Sequence, residues 1–387
     1  MLLKGVKNLF YTNENVCVAC TLGEVFATAS YFGVFAGTYH CNHGKPALPP
    51  SHFAVSTSKL LLAIGISILN VFFAFWLFKA ALHHQNKVLK LELIAELLLT
   101  FTTLLLNAYA ILNYKRRVSE LNGWMMICTS YDLEVRRVLK ELRKNRLFTY
   151  SYLLVMAAMS IYRVFVTHPE YDILTSVVSK LSTALATLTQ GVALVHINTH
   201  ILFVANFYRN TQSAFVKEMK VGRLNVSACL RKVRRFYAAA FRNIKTFTDI
   251  ADPYYLLWIV LVVAQVIVNV AATAFAFNTN YYSKGLIILQ IRTCGIIFFL
   301  TYNLIHCEML ANVSDDLLSF LFKFPISKLR TEEAAQVEML IYTLKIQKPV
   351  LKASDIFTVG TRLLAPISGT VVTYVLVALQ FHKAWSK

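Results

Sequence analysis

Seven separate stretches of this chain are apolar enough and long enough to cross a bilayer as helices: Ser58–Leu82, Leu91–Asn113, Phe148–Thr167, Ser182–Phe207, Tyr254–Phe277, Gly285–Ile305 and Leu364–Phe381. About 20 apolar residues, rising 1.5 Å each, cover a hydrocarbon layer roughly 30 Å thick. Backbone N–H and C=O groups in lipid find no water, and a helix satisfies them within one segment. The fold class that follows is an all-α polytopic membrane protein with seven transmembrane helices. Only 15% of the 387 residues are charged and 57% are hydrophobic, whereas a soluble protein carries about a quarter charged. A water-soluble enzyme is excluded because its surface could not be covered.

Positive charge sets the orientation, because Lys and Arg accumulate in cytosolic loops. Between spans two and three, residues 114–147 carry nine Lys and Arg; residues 208–252 carry ten and residues 306–362 carry seven. The N-terminal region adds Lys4, Lys7, Lys45 and Lys59, for thirty in all, against six in the alternate loops and the C-terminus. The N-terminus is therefore expected in the cytosol and the C-terminus outside. On this topology the sequons at Asn225 and Asn312 are cytosolic and idle. The net charge of +19 reads as topology and contact with anionic lipid, not as nucleic-acid binding.

The region 1–57 is cytosolic on this count, and its stretch Asn15–Gly37 has three readings: a signal peptide, an eighth span, or a membrane-associated helix buried against the cytosolic side of the bundle or partly re-entrant. The last is carried forward. Cys17 and Cys20 have CxxC spacing but no second pair, and read as small hydrophobes. Residues 208–252 look like helical continuations of spans four and five, because Ser227–Phe247 contains no Gly or Pro. Within 306–363, Thr331 is the expected cap of a further helix with Glu332 and Glu333 in its first turn, where acids suit the dipole. Val337, Leu340, Ile341 and Leu344 give it an apolar face, and Pro349 ends it.

The last span, 364–382, differs from the others. Gly369, Thr373, Val377 and Gln380 fall within a stripe about 80° wide at 100° per residue. Such a face serves close helix packing or lines a wet path between several copies. Thr373-Tyr374-Val-Leu-Val-Ala-Leu-Gln380-Phe381 resembles the TYhhhhhQF signature (h, hydrophobic) that closes the last span of insect gustatory receptors. The approach from Glu338 through Lys348-Pro349 and Asp355-Ile-Phe357 to Leu364 is similar too. The likeness is specific over roughly the last 130 residues and architectural over the rest.

That resemblance implies a seven-helix subunit of a tetrameric, ligand-gated, non-selective cation channel, with a cytosolic helical anchor domain. Span seven lines the pore, a five-residue tail (383–387) follows it outside, and a ligand pocket sits in the outer half of spans one to six. Carried over by position, Phe381 forms a hydrophobic constriction and Gln380 replaces it when the pore opens; Thr373 and Tyr374 bond between helices. Candidate pocket residues are Trp76, Glu96, Arg163, Gln190, Asn269, Gln290 and Arg292, polar or aromatic groups in the outer thirds of spans one to six. Glu96 lies about 9 Å below its span's outer end at 1.5 Å per residue. Buried ionisable groups in a membrane mark functional sites. His196, Asn198 and His200 lie deeper and read as helix packing rather than metal ligands.

Sweet-sensing members usually carry Glu after the Thr-Tyr pair, where this chain has Val375. A bitter, aversive or other contact chemical is the tastant carried forward, with a fructose-type sugar receptor or an odorant-receptor-like channel as alternatives. The expected partners are that tastant, identical or related subunits, membrane lipids and permeant cations; neither cofactor nor metal is expected. A secondary transporter is the competing class, but no repeat-related halves with broken helices are visible. No nucleophile, metal or acid–base set converges, so an enzyme is not expected.

Overall fold

The computed structural model describes residues 26–40, 52–83, 87–130, 173–221, 226–278, 284–354 and 356–385, with isolated positions between 151 and 162. Most of span three, with Arg163, and Cys17, Cys20 and Asn225 lie outside the described residues, as does the side chain of Phe381. The helices are α1 (Thr57–His83), α2 (Lys87–Leu112), α3 (Tyr114–Ser130), α4 (Ile173–Val221), α5 (Val226–Asn278), α6 (Lys284–Ala311), α7 (Asp315–Lys323), α8 (Thr331–Ile346) and α9 (Leu364–Trp385). Among the described residues, six helices are long and apolar enough to cross a membrane.

Spans four and five are not separate from the basic segment between them. α4 has 49 residues and α5 has 53, roughly 75 and 80 Å at 1.5 Å per residue. Each crosses about 30 Å of hydrocarbon and still runs on for more than that length. The extension of α5 is amphipathic: Leu230, Val233, Phe236, Tyr237, Ala240, Ile244 and Phe247 are buried, while Arg231, Arg235, Arg242 and Lys245 are exposed. The buried face meets Phe207 and Tyr208 of α4 in an aromatic cluster, with Phe207–Phe236 and Tyr208–Tyr237 centroids 5.4 and 5.1 Å apart. Each such ring, removed from water, contributes about 1.5–3 kcal/mol. α8 packs Val337, Leu340 and Leu344 into the same core and ends at Ile346. Its N-cap is Arg330, whose N–H donates to Glu333 at 3.2 Å, so Thr331 is the first helical residue rather than the cap.

Two small antiparallel strand pairs depart from an all-helical expectation. β1 (Gly37–His40) pairs β2 (His52–Val55) in the register Gly37↔Val55 to His40↔His52; β3 (Lys352–Ala353) pairs β4 (Phe357–Thr358). The described part of Asn15–Gly37 is a helical turn over 26–31, then a bend at Gly33, then β1. Gly33 has φ +73°, and a Cβ there would stand 3.1 Å from the Ala63 backbone, so the chain turns where only glycine fits easily. Phe26, Phe35 and Phe53 are buried and meet edge to face. Residues 26–40 and 52–55 together form a plug at the basic end of the bundle; residues 15–25 lie outside the described residues.

Asn122 of α3 holds the plug. Its side-chain amide donates to the Phe53 carbonyl at 2.9 Å and accepts the Phe53 N–H at 2.8 Å, standing in for a neighbouring strand. Asn122→Ala leaves both backbone groups unpaired, at about 1–3 kcal/mol. The expected result is a lower unfolding midpoint in detergent, with earlier hydrogen exchange at residues 52–55. An unchanged midpoint would show that the aromatic rings alone anchor the hairpin.

Candidate functional site

α2, α4, α5 and α6 form a square in which α2 and α6 each pack against both α4 and α5. Its interior is polar. On α2, Glu92, Glu96, Thr100, Thr103 and Asn107 are all buried and recur every three or four residues, a stripe about 80° wide. Thr100 shares a hydrogen bond with Ser182 of α4 at 3.1 Å, and Thr103 donates to the Ala186 carbonyl at 3.4 Å. Between α5 and α6, Asn269 donates to Thr293 at 2.7 Å and Gln290 donates to Thr273. Ala95 of α2 packs with Ala272 and Ala276 of α5, which sets Glu96 at the level of Thr273.

Four of the seven pocket candidates read from the sequence thus meet in one layer: Glu96, Asn269, Gln290 and Arg292, three of them buried and Gln290 half-buried. Gln190 is buried but lies eight residues past Ser182, about 12 Å closer to the basic end. Trp76 faces elsewhere; its ring stacks on exposed Phe72, with the Lys79 ammonium 5.8 Å from the centroid. Arg163 is not described. Sequence reasoning missed Glu92, Thr100, Ser182, Thr273 and Thr293. The α2 stripe was visible as helical spacing, whereas the hydroxyls of α4, α5 and α6 acquire meaning only from the helices opposite.

A second polar cluster sits toward the basic end. The buried Glu120 carboxylate of α3 accepts from Arg117 at 3.1 Å and from Trp124 Nε1 at 2.8 Å, and meets His200 Nε2 of α4 at 3.0 Å. The Arg117 guanidinium lies over Phe247 of α5, 4.9 Å from its centroid. Burial alone would raise the Glu120 pKa, but the charges and hydrogen bonds of His200, Arg117 and Trp124 hold it below the ordinary carboxyl value. Between the layers, Asn303 donates to Asn198 at 2.9 Å and accepts from Tyr255 at 3.2 Å. The His196 ring packs edge-on against Phe26, 4.3 Å away. Asn198 and His200 therefore join helices, and among the described residues no three His, Cys, Asp or Glu are grouped to hold a metal.

α9 is the exception to this burial. The apolar window of α4 is 89% buried and that of α9 is 0% buried. Leu364, Ile367 and Val371 lean on the core, and α5 is the long helix it packs against. At about 100° per residue, the stripe of Gly369, Thr373, Val377 and Gln380 points roughly 180° away from that packed line. All four are exposed, as is Tyr374 at 57%. One polar tie joins α9's start to the bundle: Glu308 of α6 accepts from the Thr361 N–H at 3.0 Å and from its hydroxyl.

Apolar helices with basic extensions around a polar interior define a polytopic membrane receptor fold. A family model described as 7tm Chemosensory receptor matches residues 25–384, and the chain belongs to that family of membrane receptors. Among solved structures, the insect olfactory receptor OR5 from Machilis hrabei in complex with eugenol aligns at TM-score 0.70 and 10% identity, over 93% of this chain and 97% of that one. A second structure of that receptor aligns at TM-score 0.68 and 12% identity, over 92% of this chain and 97% of that one. At such identities the likeness is one of fold. No curated protein sequence matches the chain.

Proposed function

We propose that the chain is one subunit of a gustatory chemoreceptor of the plasma membrane of sensory neurons, a ligand-gated, non-selective cation channel of four identical or related subunits. In this arrangement the N-terminus is cytosolic, the C-terminus is outside, and the basic extensions of α4 and α5 with α7 and α8 form the cytosolic anchor. The observation that carries the reading is α9: its small and polar stripe faces directly away from its own subunit. A lone copy would expose Thr373 and Gln380 to lipid; four copies would turn them onto a shared wet axis. No Asp or Glu lies on Leu364–Trp385, which suits weak discrimination among cations. The ligand is a small molecule held in the polar layer, with a bitter or other contact chemical as the preferred tastant class, since Val375 stands where sweet-sensing members carry Glu.

The purified chain in planar bilayers is expected to give ligand-dependent unitary current steps. Smooth, saturating transport without steps would replace the channel by a transporter.

Glu308 is the coupling residue of this reading, since it joins the bundle to the first turn before α9. Glu308→Gln weakens two hydrogen bonds to a carboxylate, each worth about 1.5–3 kcal/mol. The expected outcome is a rightward shift of the ligand dose–response of roughly tenfold or more, with surface expression unchanged. An unaltered curve would remove Glu308 from gating.

A further inference from the structure

The basic extension of α5 carries charge of one sign. Residues 226–248 hold six Lys and Arg and neither Asp nor Glu. Arg234 turns to α8, where its Nη1 donates to Met339 Sδ at 3.0 Å. Arg231, Lys232, Arg235, Arg242 and Lys245 are exposed, and no ion pair among the described residues engages them. At 100° per residue, Arg231, Arg235, Arg242 and Lys245 fall within a stripe about 80° wide, with Lys232 on its flank. The rest of the circumference is taken. α3 and α8 pack against it, and Phe236 and Tyr237 meet Phe207 and Tyr208 of α4. The stripe is the side left open, on a helix fixed by its buried face.

Contact with lipid headgroups does not account for all of it. The apolar span of α5 begins at Tyr255, which puts Arg235 and Arg231 about 30 and 36 Å below it along the axis. A tilt of about 40°, the upper end of the usual range, still leaves roughly 23 and 28 Å. Headgroups occupy about 6 Å on each side of the hydrocarbon. With a Debye length of about 8 Å, the lower half of the stripe stands roughly two Debye lengths or more beyond the membrane surface. The chain's own acids do not cover it either. α7 and α8 carry Asp315, Asp316, Glu332, Glu333 and Glu338. Asp315 is paired with Lys348 at 2.9 Å, Glu333 accepts from the Arg330 N–H, and Glu338 shares a groove with Arg234. Asp316 and Glu332 remain on those helices, two carboxylates against five cations.

We propose that the stripe docks an acidic segment of another cytosolic protein, an extended run of about six residues with two acidic clusters roughly 10 Å apart. Arg231 and Lys245 are about 21 Å apart along the axis, the length of about six extended residues. Arg231, Lys232 and Arg235 form one cationic cluster; Arg242 and Lys245 form the other. Ala238 and Ala239 lie between the clusters, half-buried, so a bulky side chain of the partner can rest there without meeting a charge. Arg grips a carboxylate through two parallel hydrogen bonds, and Arg clusters at fixed spacing are a recurring reader of acidic motifs. The apolar side of this helix is buried, so a partner that wraps amphipathic helices finds nothing to hold.

The inference rests on the cytosolic placement of the basic end in the proposed function, and binding is read apart from current. Its failure leaves the channel standing, and a lack of unitary currents leaves the docking surface standing. A fluorescent peptide of two glutamate triplets flanking one tryptophan is titrated against the full-length chain in nonionic detergent, followed by anisotropy. Saturable binding of one peptide per chain is expected, weakening as salt is raised. Arg231→Gln with Arg235→Gln is expected to weaken it roughly tenfold or more, and Arg242→Gln with Lys245→Gln about threefold or more. Two variants on one stripe keep a folding defect in either from deciding the matter. Arg209→Gln with Lys217→Gln removes the same charge from exposed positions of α4 and is expected to change binding less than about twofold. Equal losses in all three overturn the inference, because net charge alone then draws the peptide. So does an absence of binding at low salt. Loss of binding in phosphatidylserine nanodiscs but not in phosphatidylcholine ones gives the stripe to lipid, and displacement by equimolar ATP gives it to a free polyphosphate. A changed particle mass in the first variant gives it to a neighbouring copy. Each of these three overturns the proposal.

Discussion

Glu120→Ala is expected to destabilise the protein by about 3–5 kcal/mol, the usual loss when one partner of a buried ion pair is removed. Arg117 is 3% exposed and His200 is 1% exposed, so neither can turn to water when the carboxylate goes. Trp124 Nε1 loses its acceptor as well. The cluster ties α3 to α4 and, through Arg117 over Phe247, to α5. The measurement is the unfolding midpoint in detergent beside the yield of monodisperse protein, and an unchanged midpoint would remove the cluster from the stability of the fold. A second arm separates charge from shape: Glu120→Gln combined with Arg117→Met is expected to recover part of the loss, because no buried guanidinium is then left without its carboxylate.

The same carboxylate fixes a direction with pH. Its pKa in the fold is held below the ordinary 4.5, so the stabilisation it contributes is fully present above about 4.5 and is lost as pH falls through the lower folded value. The acid limb of the unfolding curve is expected to flatten in Glu120→Gln.

Phe381→Ala is expected to open the proposed channel without ligand. A ring of four aromatic side chains closes a narrow pore by excluding water, with no charge needed. Fully burying one phenylalanine is worth about 1.5–3 kcal/mol. A quarter of that over four rings is again about 1.5–3 kcal/mol in total, or a roughly ten- to hundredfold shift toward the open state. For scale, moving from 1:99 to 99:1 takes about 5.5 kcal/mol, under 2 kcal/mol for each of four ligands. The readout is standing current in unstimulated cells, blocked by replacing permeant cations. Reduced surface expression with no leak would instead make Phe381 an interfacial anchor.

Much of the fold was legible because hydropathy and helical period are local properties. Gly285–Ile305 reappears within α6 and Leu91–Asn113 within one residue of the end of α2, and the Gly- and Pro-free Ser227–Phe247 lies within the long α5. The sequence reads Asn15–Gly37 as a helix buried against the bundle's cytosolic side or partly re-entrant, but the contacts that seat its described part are not legible in it. Its apolar residues suit a membrane helix, and only the fit of Phe26 and Phe35 against His196 and Phe53 makes the described part a plug. Of the pocket candidates, Glu96, Asn269, Gln290 and Arg292 share a layer, whereas Trp76 and Gln190 do not join it. Depth counted along one helix ignores where its neighbours begin and how they are rotated.

By itself the chain's order of residues determined a helical membrane protein, the positions of its apolar segments and the gathering of Lys and Arg at one end. These follow from the cost of bare backbone in lipid and from charge, both readable within one segment. Only the tertiary structure decided that Glu120 meets His200, that the basic stripe of α5 is the side its neighbours leave open, and that the polar stripe of α9 turns away from its own bundle. Such pairings depend on the rotation and level of helices far apart in the chain, and no local pattern encodes them.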